Sequence, residues 1–590
     1  MSEKKFFIGI DFGHGETSVS RVPGYNNEPV SRVPLRVTSH DVDKKVVSAI
    51  CRHDDGWHFV WTKEDFRRPD IREGFKGVIS KLSPEKKEAL GEFAKLIFRT
   101  ILKNDPDLEY DENTGDANFS ICIANPSDWR RQDPSTPGEY LRFFRDECGI
   151  KPIEICINES DAAFYTKYND YSRDDTVFVI DLGSSTIDFT TYHHSACVPD
   201  CCWGHNLGAH LVEDQIIDKG YLDEENAENM RKVTLAREEA GLGSADAALS
   251  LAARFAKEEY FTNHLSSFDL EMKYMHFAPW KVRRDVAFSL FLSKEEFNNV
   301  IDDYSKQLEM VLVNAAKKLS DNGIKPTLVL LSGGASRMDF VRESAVKAFP
   351  GVQIYQDVCP EWVVSDGAAK YVQVMSWAMA DTRLLQSEFE NWAQSNLISA
   401  VQDAGLSAFQ ETLRECMRER LYADYVNNNS KTTVNDFESC LLTVLNTVTS
   451  TAGFKSRADE KFVEIVNAQI VSKLKDIIFN RYQKDVEISY VFVEPGNCFE
   501  DVPVETNHIH EMVDVMGYNL FCSGIWPDDE VNRVKDRTSG DRQRLVDYAV
   551  RQIPETYRYE FNGDISNWIE EAKSKIWYIL KSNGLFDISM

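Results

Sequence analysis

Two segments of this chain repeat one pattern. IGIDFGHGETSVS at Ile8 to Ser20 and VFVIDLGSSTIDFTTY at Val177 to Tyr192 each run apolar, reach Asp-x-Gly and turn on small residues. Such duplication predicts two related folding units facing one site. In each copy the β-branched and aromatic residues predict a buried strand with the Asp at its end and a second strand returning. Gly13, Gly15 and Gly183 leave backbone N–H groups unobstructed at the hairpin tips. Successive amides there form an anion-binding nest, so the hairpins read as phosphate cradles. Asp11 and Asp181 would reach the same phosphates from opposite sides, which requires a cation between them. Mg²⁺, which keeps several waters when bound, suits that place, so both carboxylates are candidate metal ligands acting through water.

At 590 residues the chain exceeds one ordinary core, predicting at least two domains, one of them bilobed. A formal net charge of −28 repels nucleic-acid backbones and anionic membranes, so neither is expected as a main partner. The terminus MSEKKFFIGIDFG enters the first strand almost at once, and no apolar run reaches membrane-spanning length. Twelve scattered cysteines form no small-domain disulfide framework. These features predict a cytoplasmic chain with free thiols.

Residues 1–380 alternate strand-like and helical stretches, the pattern of an α/β fold. NFSICIANPSDWR predicts a strand ending near Asn125 and Pro126, VQIYQDV another, and TLVLLSGGASRM a strand running into Gly333-Gly334. The segment EEFNNVIDDYSKQLEMVLVNAAKKL predicts a long amphipathic helix. From about Asp381 the texture changes. Leu385, Phe389 and Trp392 recur at helical spacing, as do Val463, Val466, Ile470, Leu474 and Ile477, and then Ile565, Ile569, Ala572, Ile576 and Leu580. Residues 381–590 are therefore expected to form a mostly α-helical domain, with one strand candidate, EISYVFVEPG, and Gly584 ending the last helix. Its apolar stripes, with Trp392, Trp526, Trp568 and Trp577, read as core or interface packing.

In order, the first domain carries Asp11-x-Gly13, INESDAA at Ile157 to Ala163, Asp181-Leu182-Gly183, NLGAHLVED, and LSGGASRM followed by SDGAAKYV. This order resembles the actin-like ATPase superfamily, most closely the nucleotide-binding domain of the seventy-kilodalton heat-shock chaperones (DnaK-like), over about residues 6 to 375. The resemblance implies two ribonuclease H-like lobes, lobe I about 1–173 and 361–380 and lobe II about 174–360, closing on ATP or ADP with Mg²⁺. It implies that Asp11, Glu159, Asp181 and Thr186 are catalytic, with Glu159 organising the attacking water and Thr186 near the γ-phosphate. It further implies nucleotide contacts from Gly13, His14, Gly15, Gly183, Ser184, Ser185, Gly208, Lys257, Gly333, Gly334 and Arg337, the last lying over the adenine face. Chemically this is phosphoryl transfer to water, in which positioning and charge neutralisation supply the catalysis.

The chain also departs from the family. Ser18 stands where related filament proteins often have lysine, Ser184-Ser185 replaces a glycine-rich turn, and Glu-x-x-Lys-Arg has become Arg254-Phe-Ala-Lys257-Glu258. The lobe I lysine has two candidates, Lys63 and Lys76. The six His and Cys residues from His193 to His205 lack a zinc spacing and are assigned a zinc-free structural role, and His508 and His510 lack an HExxH. The expectation is an ATP-driven, chaperone-like switch whose helical domain takes a protein client or partner. An actin-like filament ATPase, a nonhydrolysing adaptor and a small-molecule kinase are the alternatives.

Overall fold

The computed structural model describes residues 4–24, 29–37, 42–43, 45–62, 65, 71–127, 129, 133–167, 175–193, 196–222, 224, 226–228, 231, 244–277, 283–430, 433–493, 539–551, 565–583 and 585. They fall into two compact units divided between Ser376 and Trp377.

The first unit is mixed α/β. Its first repeat folds as a hairpin of β1 (Phe6–Phe12) and β2 (Glu16–Pro23), with Asp11 opposite Ser18. Short strands follow: β3 (Ser31–Arg32), β4 (Arg36–Val37), β5 (Val42–Asp43), β6 (Lys45–Val47), β7 (Ala49–His53), β8 (Gly56–Phe59) and β9 (Arg72–Glu73). β10 (Phe119–Asn125) pairs parallel with β1, and β11 (Ile153–Asn158) pairs parallel with β10. The second repeat is the hairpin β12 (Thr176–Leu182) and β13 (Ile187–His193), with Asp181 opposite Asp188. Along the outer edge of β13 lie β14 (Ala196–Cys197) and β15 (Trp203–His205). β16 (Ser267–Phe277) and β17 (Arg283–Ser293) make a separate hairpin. β18 (Leu328–Ser332) pairs parallel with β12, and β19 (Gln353–Gln356) pairs parallel with β18.

The two six-stranded sheets therefore have one plan. The Asp-bearing strand lies between its antiparallel hairpin partner and a parallel strand, a second parallel strand flanks that, and two short strands edge the hairpin partner. Each Asp-bearing strand is buried on both faces, so its apolar run does not alternate with polar residues. Ile8, Ile10 and Phe12 enter one core while Phe7 enters another, and Phe178, Ile180 and Leu182 face away from Val177 and Val179 in the same way. The helix Lys294–Asp321 starts on a capping box, with Ser293 accepting from the Glu296 amide and Glu296 accepting from the Ser293 amide.

Small residues let helices close onto the first sheet. Gly9 faces the start of the helix Val363–Cys416, and a Cβ there would lie 2.1 Å from the Ser365 carbonyl oxygen and 2.4 Å from the Ala369 nitrogen. Gly367 faces the helix Glu159–Thr166, where a Cβ would lie 1.7 Å from the Ala162 carbonyl oxygen.

Among the described residues of the second unit there is no strand. Its helices include Val434–Thr447, Ala452–Lys461, Ala468–Tyr482, Ser539–Arg551 and Ile565–Ser582. Leu385, Phe389, Leu397, Val466, Ile470, Leu474, Ile569, Ala572, Ile576 and Leu580 share one core. Two expectations need correction. The stripe begins at fully buried Phe462 while Val463 is half-buried, and Phe462–Asn467 is a π-helical turn, whose extra residue per turn shifts the buried face. Residues 487–493 of the strand candidate form no strand, and Val493 lies in a bend. Asn583 Oδ1 accepts from the Glu487 amide at 2.9 Å and Asn467 Oδ1 from the Phe492 amide at 2.8 Å, so side chains stand in for a neighbouring strand while Phe492 and Val493 enter the helical core. Trp568 is buried and Trp392 and Trp577 are half-buried, whereas Trp526, His508, His510 and Gly584 lie outside the described residues.

Gly9→Ala is expected to destabilise the first unit by about 1–3 kcal/mol, the usual range for overpacking. Gly138→Ala, inside the helix Thr136–Arg142 where a Cβ meets nothing within 4 Å, is the control and should be neutral to stabilising by up to about 1 kcal/mol. Urea unfolding measures both, and an unchanged midpoint for Gly9→Ala would show that the helix gives way without cost.

Candidate functional site

The repeated hairpins turn their tips to one pocket. Its walls include Asp11, Gly13, His14, Gly15, Glu159, Asp181, Gly183, Ser184, Ser185, Thr186, Lys257, Gly333, Gly334 and Arg337. Every residue singled out from the sequence is thus brought to its wall except Gly208. That residue sits behind the second tip, where a Cβ would lie 2.1 Å from the Ser184 carbonyl oxygen, so its small size supports the turn from the rear.

Each tip is four residues long, 13–16 between paired Phe12 and Thr17 and 183–186 between paired Leu182 and Ile187. In both, the carbonyls are tied back into the protein. Ser48 donates through its hydroxyl to the Gly13 carbonyl at 2.6 Å and through its amide to the Gly15 carbonyl at 2.8 Å. The Ala209 amide donates to the Gly183 carbonyl at 3.2 Å, and His210 donates to the Ser184 carbonyl through its amide at 2.9 Å and from Nδ1 at 2.7 Å. Gly333 ends β18 at φ 82°, where a Cβ would lie 2.3 Å from the Leu182 carbonyl oxygen and 2.9 Å from Asp181 Oδ1. Both the backbone conformation and the closeness require glycine there.

The electrostatics centre on two carboxyls, Asp181 buried and Asp11 half-buried at the pocket wall. Asp11 Oδ1 and Asp181 Oδ1 are shielded from solvent and have no hydrogen-bond partner. Burial pushes Asp11 up to about 8 despite the opposing pull of Lys76, with Glu159 and Asp181 adding to the rise. Burial pushes Asp181 up to about 8 as well, helped by Glu159 and Asp188. Oxygens left unpartnered in a buried site fit a hydrated hard cation, the ligand chemistry expected of Mg²⁺. Of the two candidate lysines, Lys63 lies outside the described residues. Lys76 enters the site, bonding Glu159 at the start of the helix Glu159–Thr166 and lying 3.9 Å from Asp11 Oδ1. Burial presses its ammonium pKa down, but Glu159 and Asp11 outweigh that and hold it above its ordinary range.

Arg254, noticed in the sequence only as a departure, joins the two tips. Its guanidinium packs over Gly15, where a Cβ would lie 1.4 Å from Nη2, and it donates to Ser184 Oγ at 3.1 Å and to Glu258 at 3.1 Å. Burial disfavours its charge, but Glu213, Glu258, Glu16 and Glu73 raise its pKa further. Burial and the Arg254 charge press His14 down to about 3, leaving it neutral. Lys257 is buried against Glu213 at 2.5 Å. Arg337 forks onto Glu361 at 2.9 and 2.8 Å, which commits its edge and leaves its planar face for stacking. Thr186 donates to Asp188 at 3.0 Å. Ser18 is not on the pocket wall; its hydroxyl lies 2.9 Å from Ser365 Oγ and 3.3 Å from the Glu361 carbonyl oxygen. Lys45 and Glu16, paired at 2.9 Å, also line the wall, and neither stood out in the sequence because their partnership spans two strands.

Among the described residues, the groupings close enough to share a metal ion through Cys and His are Cys51, His53 and Asp65, and His53, Asp55 and His58, not the segment from His193 to His205. No described helix is long and apolar enough to cross a membrane.

No family model matches the chain. The chaperone protein HscA homologs of Actinobacillus pleuropneumoniae serotype 5b (strain L20) and serotype 3 (strain JL03) are each 27% identical to it over 245 residues. The match covers 40% of this chain and 34% of each relative, so the chain spans about a third of the length of the curated relatives it matches. The likeness is a distant relationship to a chaperone over part of the chain.

Two carboxyls raised to about 8 keep protons in the folded chain that the unfolded chain has released above about pH 4. Without a cation, stability should therefore fall as pH rises from about 4 toward 8, and Mg²⁺ should bind more tightly over that same window while expelling protons. Thermal melts with Mg²⁺ or chelator at pH 6 and pH 8 test this. The Mg²⁺-induced rise in Tm should be larger at pH 8, and its pH dependence should weaken in Asp11→Asn, where Asp181 still titrates; an equal rise at both pH values argues against the site.

Arg254→Ala should cost about 1.5–3 kcal/mol, because it removes charge-assisted hydrogen bonds to half-buried Glu258 and to Ser184. Chemical denaturation reads the loss, and Arg254→Lys should restore part of it.

Proposed function

We propose that the first unit is a two-lobed, actin-like nucleotide-binding unit of the seventy-kilodalton heat-shock chaperone type. It binds ATP with Mg²⁺ and hydrolyses it to ADP and phosphate. The observation that carries this reading is the matched plan of the two sheets, each ending its Asp-bearing strand at one pocket with a solvent-shielded carboxylate oxygen that has no hydrogen bond. The partial likeness to chaperone proteins supports the same reading. A charged polyphosphate matches what the pocket offers: two tips with tied-back carbonyls, an ammonium at Lys76 and a guanidinium at Arg254.

On this reading Asp11 and Asp181 hold the hydrated metal, which when bound neutralises charge on the phosphate oxygens. Gly13, His14, Gly15, Gly183, Ser184 and Ser185 cradle the phosphates through backbone amides. Lys76 stabilises charge developing on the transferred phosphoryl group. Glu159 and Thr186 orient the attacking water, whose oxygen bonds to the terminal phosphorus as the bond to the bridging oxygen breaks. The nucleoside lies along Gly333 and Gly334 under the planar face of Arg337. The nucleotide state then governs what the helical unit binds, with a protein client or partner as its ligand.

A single-turnover assay with labelled ATP and Mg²⁺ tests the chemistry. Wild type should convert bound ATP to ADP, and Asp181→Ala should slow that step by at least about 100-fold, the scale of losing an electrostatic catalytic group. Bound but unhydrolysed ATP in wild type would make the protein a nucleotide-locked adaptor, and absence of bound nucleotide would overturn the reading.

A further inference from the structure

β14 and β15 run along the same edge of β13, interrupted by a bulge. Cys197 pairs with Tyr192, the Val198 amide donates to the Thr191 carbonyl at 2.8 Å, and the ladder resumes with Trp203 opposite Phe189. Between them Pro199–Cys201 forms one tight turn, closed by the Cys201 amide donating to the Val198 carbonyl at 2.9 Å and held by Thr191 Oγ1 donating to the Cys201 carbonyl at 3.0 Å. Looping out those residues draws Cys202 back beside the strand end that carries Cys197 and Val198. The sulfurs of Cys197 and Cys202 lie 3.3 Å apart, and the Cys202 thiol also lies 3.2 Å from the Val198 carbonyl oxygen.

We propose that Cys197 and Cys202 are an oxidisable dithiol site, at which a small-molecule disulfide closes an intramolecular bridge across the base of this bulge. A disulfide bond is about 2.05 Å long, so the sulfurs need to close by roughly 1.3 Å, a side-chain adjustment. Access and competition agree with this. Cys197 is exposed and Cys202 half-buried, whereas Cys201 is 1% exposed and turned into the core. The hydrogen bond from Cys197 is the largest influence on the Cys202 thiol, which is pulled down to about 7 against its burial, so near neutral pH a large share of it is the nucleophilic thiolate.

The chemistry balances with a reagent RSSR. The Cys202 thiolate attacks one sulfur, forming a mixed disulfide and expelling RS⁻, which takes the Cys197 proton. The Cys197 thiolate then attacks the Cys202 sulfur, the protein disulfide forms, and a second RS⁻ leaves and is protonated. Two protein thiols are oxidised and one disulfide is reduced to two thiols. The bridge would lock the edge that flanks β13, the strand following the Thr186 turn.

The test uses the full chain and oxidised glutathione, with acid quench, alkylation in denaturant and peptide mapping. The expected product is a Cys197–Cys202 bridge that forms far more readily in the native chain than in the same chain unfolded in urea. Its rate should reach half its alkaline plateau near pH 7. In Cys197→Ser, a stable glutathione adduct on Cys202 should replace the bridge. Separate adducts on both cysteines of the wild-type protein, a bridge that includes Cys201, or full alkylation of both residues would each overturn the proposal.

Discussion

Drawing two carboxylates largely out of water at the ends of matching strands is the constraint around which the first unit is organised. An isolated charge removed from water is strongly disfavoured, so each carboxyl must be protonated or meet a cation. The structure arranges both possibilities. Asp11 and Asp181 are raised to about 8, and Lys76 lies 3.9 Å from one of them while bonded to Glu159. Arg254 plays the corresponding part between the hairpin tips, held by Glu258 and Ser184 and packed on Gly15. The result is a pocket whose cations and anions are largely matched in pairs, with unpartnered carboxylate oxygens at its base.

Small residues translate that constraint into packing. Ser365 bonds Ser18 and Ser20, Asp366 accepts from Ser20 at 2.5 Å, Gly367 admits the helix that begins at Glu159, and Ala368 and Ala369 rest on the sheet opposite Gly9. The run SDGAA is therefore a seam between β1, β2 and the helix that presents Glu159. Gly208 does comparable work behind the second tip. In these places a Cβ would collide with backbone atoms, which cannot move aside as a side chain can.

The helical unit follows a simpler rule. One stripe from each helix enters a single core, and where backbone polar groups lack a helical or strand partner, asparagine side chains supply it, as Asn467 and Asn583 do for the irregular segment near Phe492. The π-helical turn at Phe462–Asn467 keeps the buried stripe continuous by shifting it one residue. Neither device changes the average hydrophobic periodicity enough to be read beforehand.

The chain by itself determined the two strand–Asp–turn–strand repeats, the strands running into Asn125 and Gly333, the helical character of the later residues, and many of the polar groups at the pocket, though not Lys45, Glu16 or the role of Arg254. These follow from local rules: side-chain period, glycine at turns and apolar runs of strand length act over a few residues and leave their mark in order. Tertiary structure alone decided which lysine meets Glu159, that Arg254 spans both tips, that Lys257 is taken by Glu213, that Ser18 serves a helix rather than the pocket, and that Cys197 and Cys202 meet across a bulge. Each of these depends on separation in space, not in sequence. Ion pairs and packed glycines join residues tens or hundreds of positions apart, and a lysine that reaches a buried carboxylate has the same local signature as one that reaches only water.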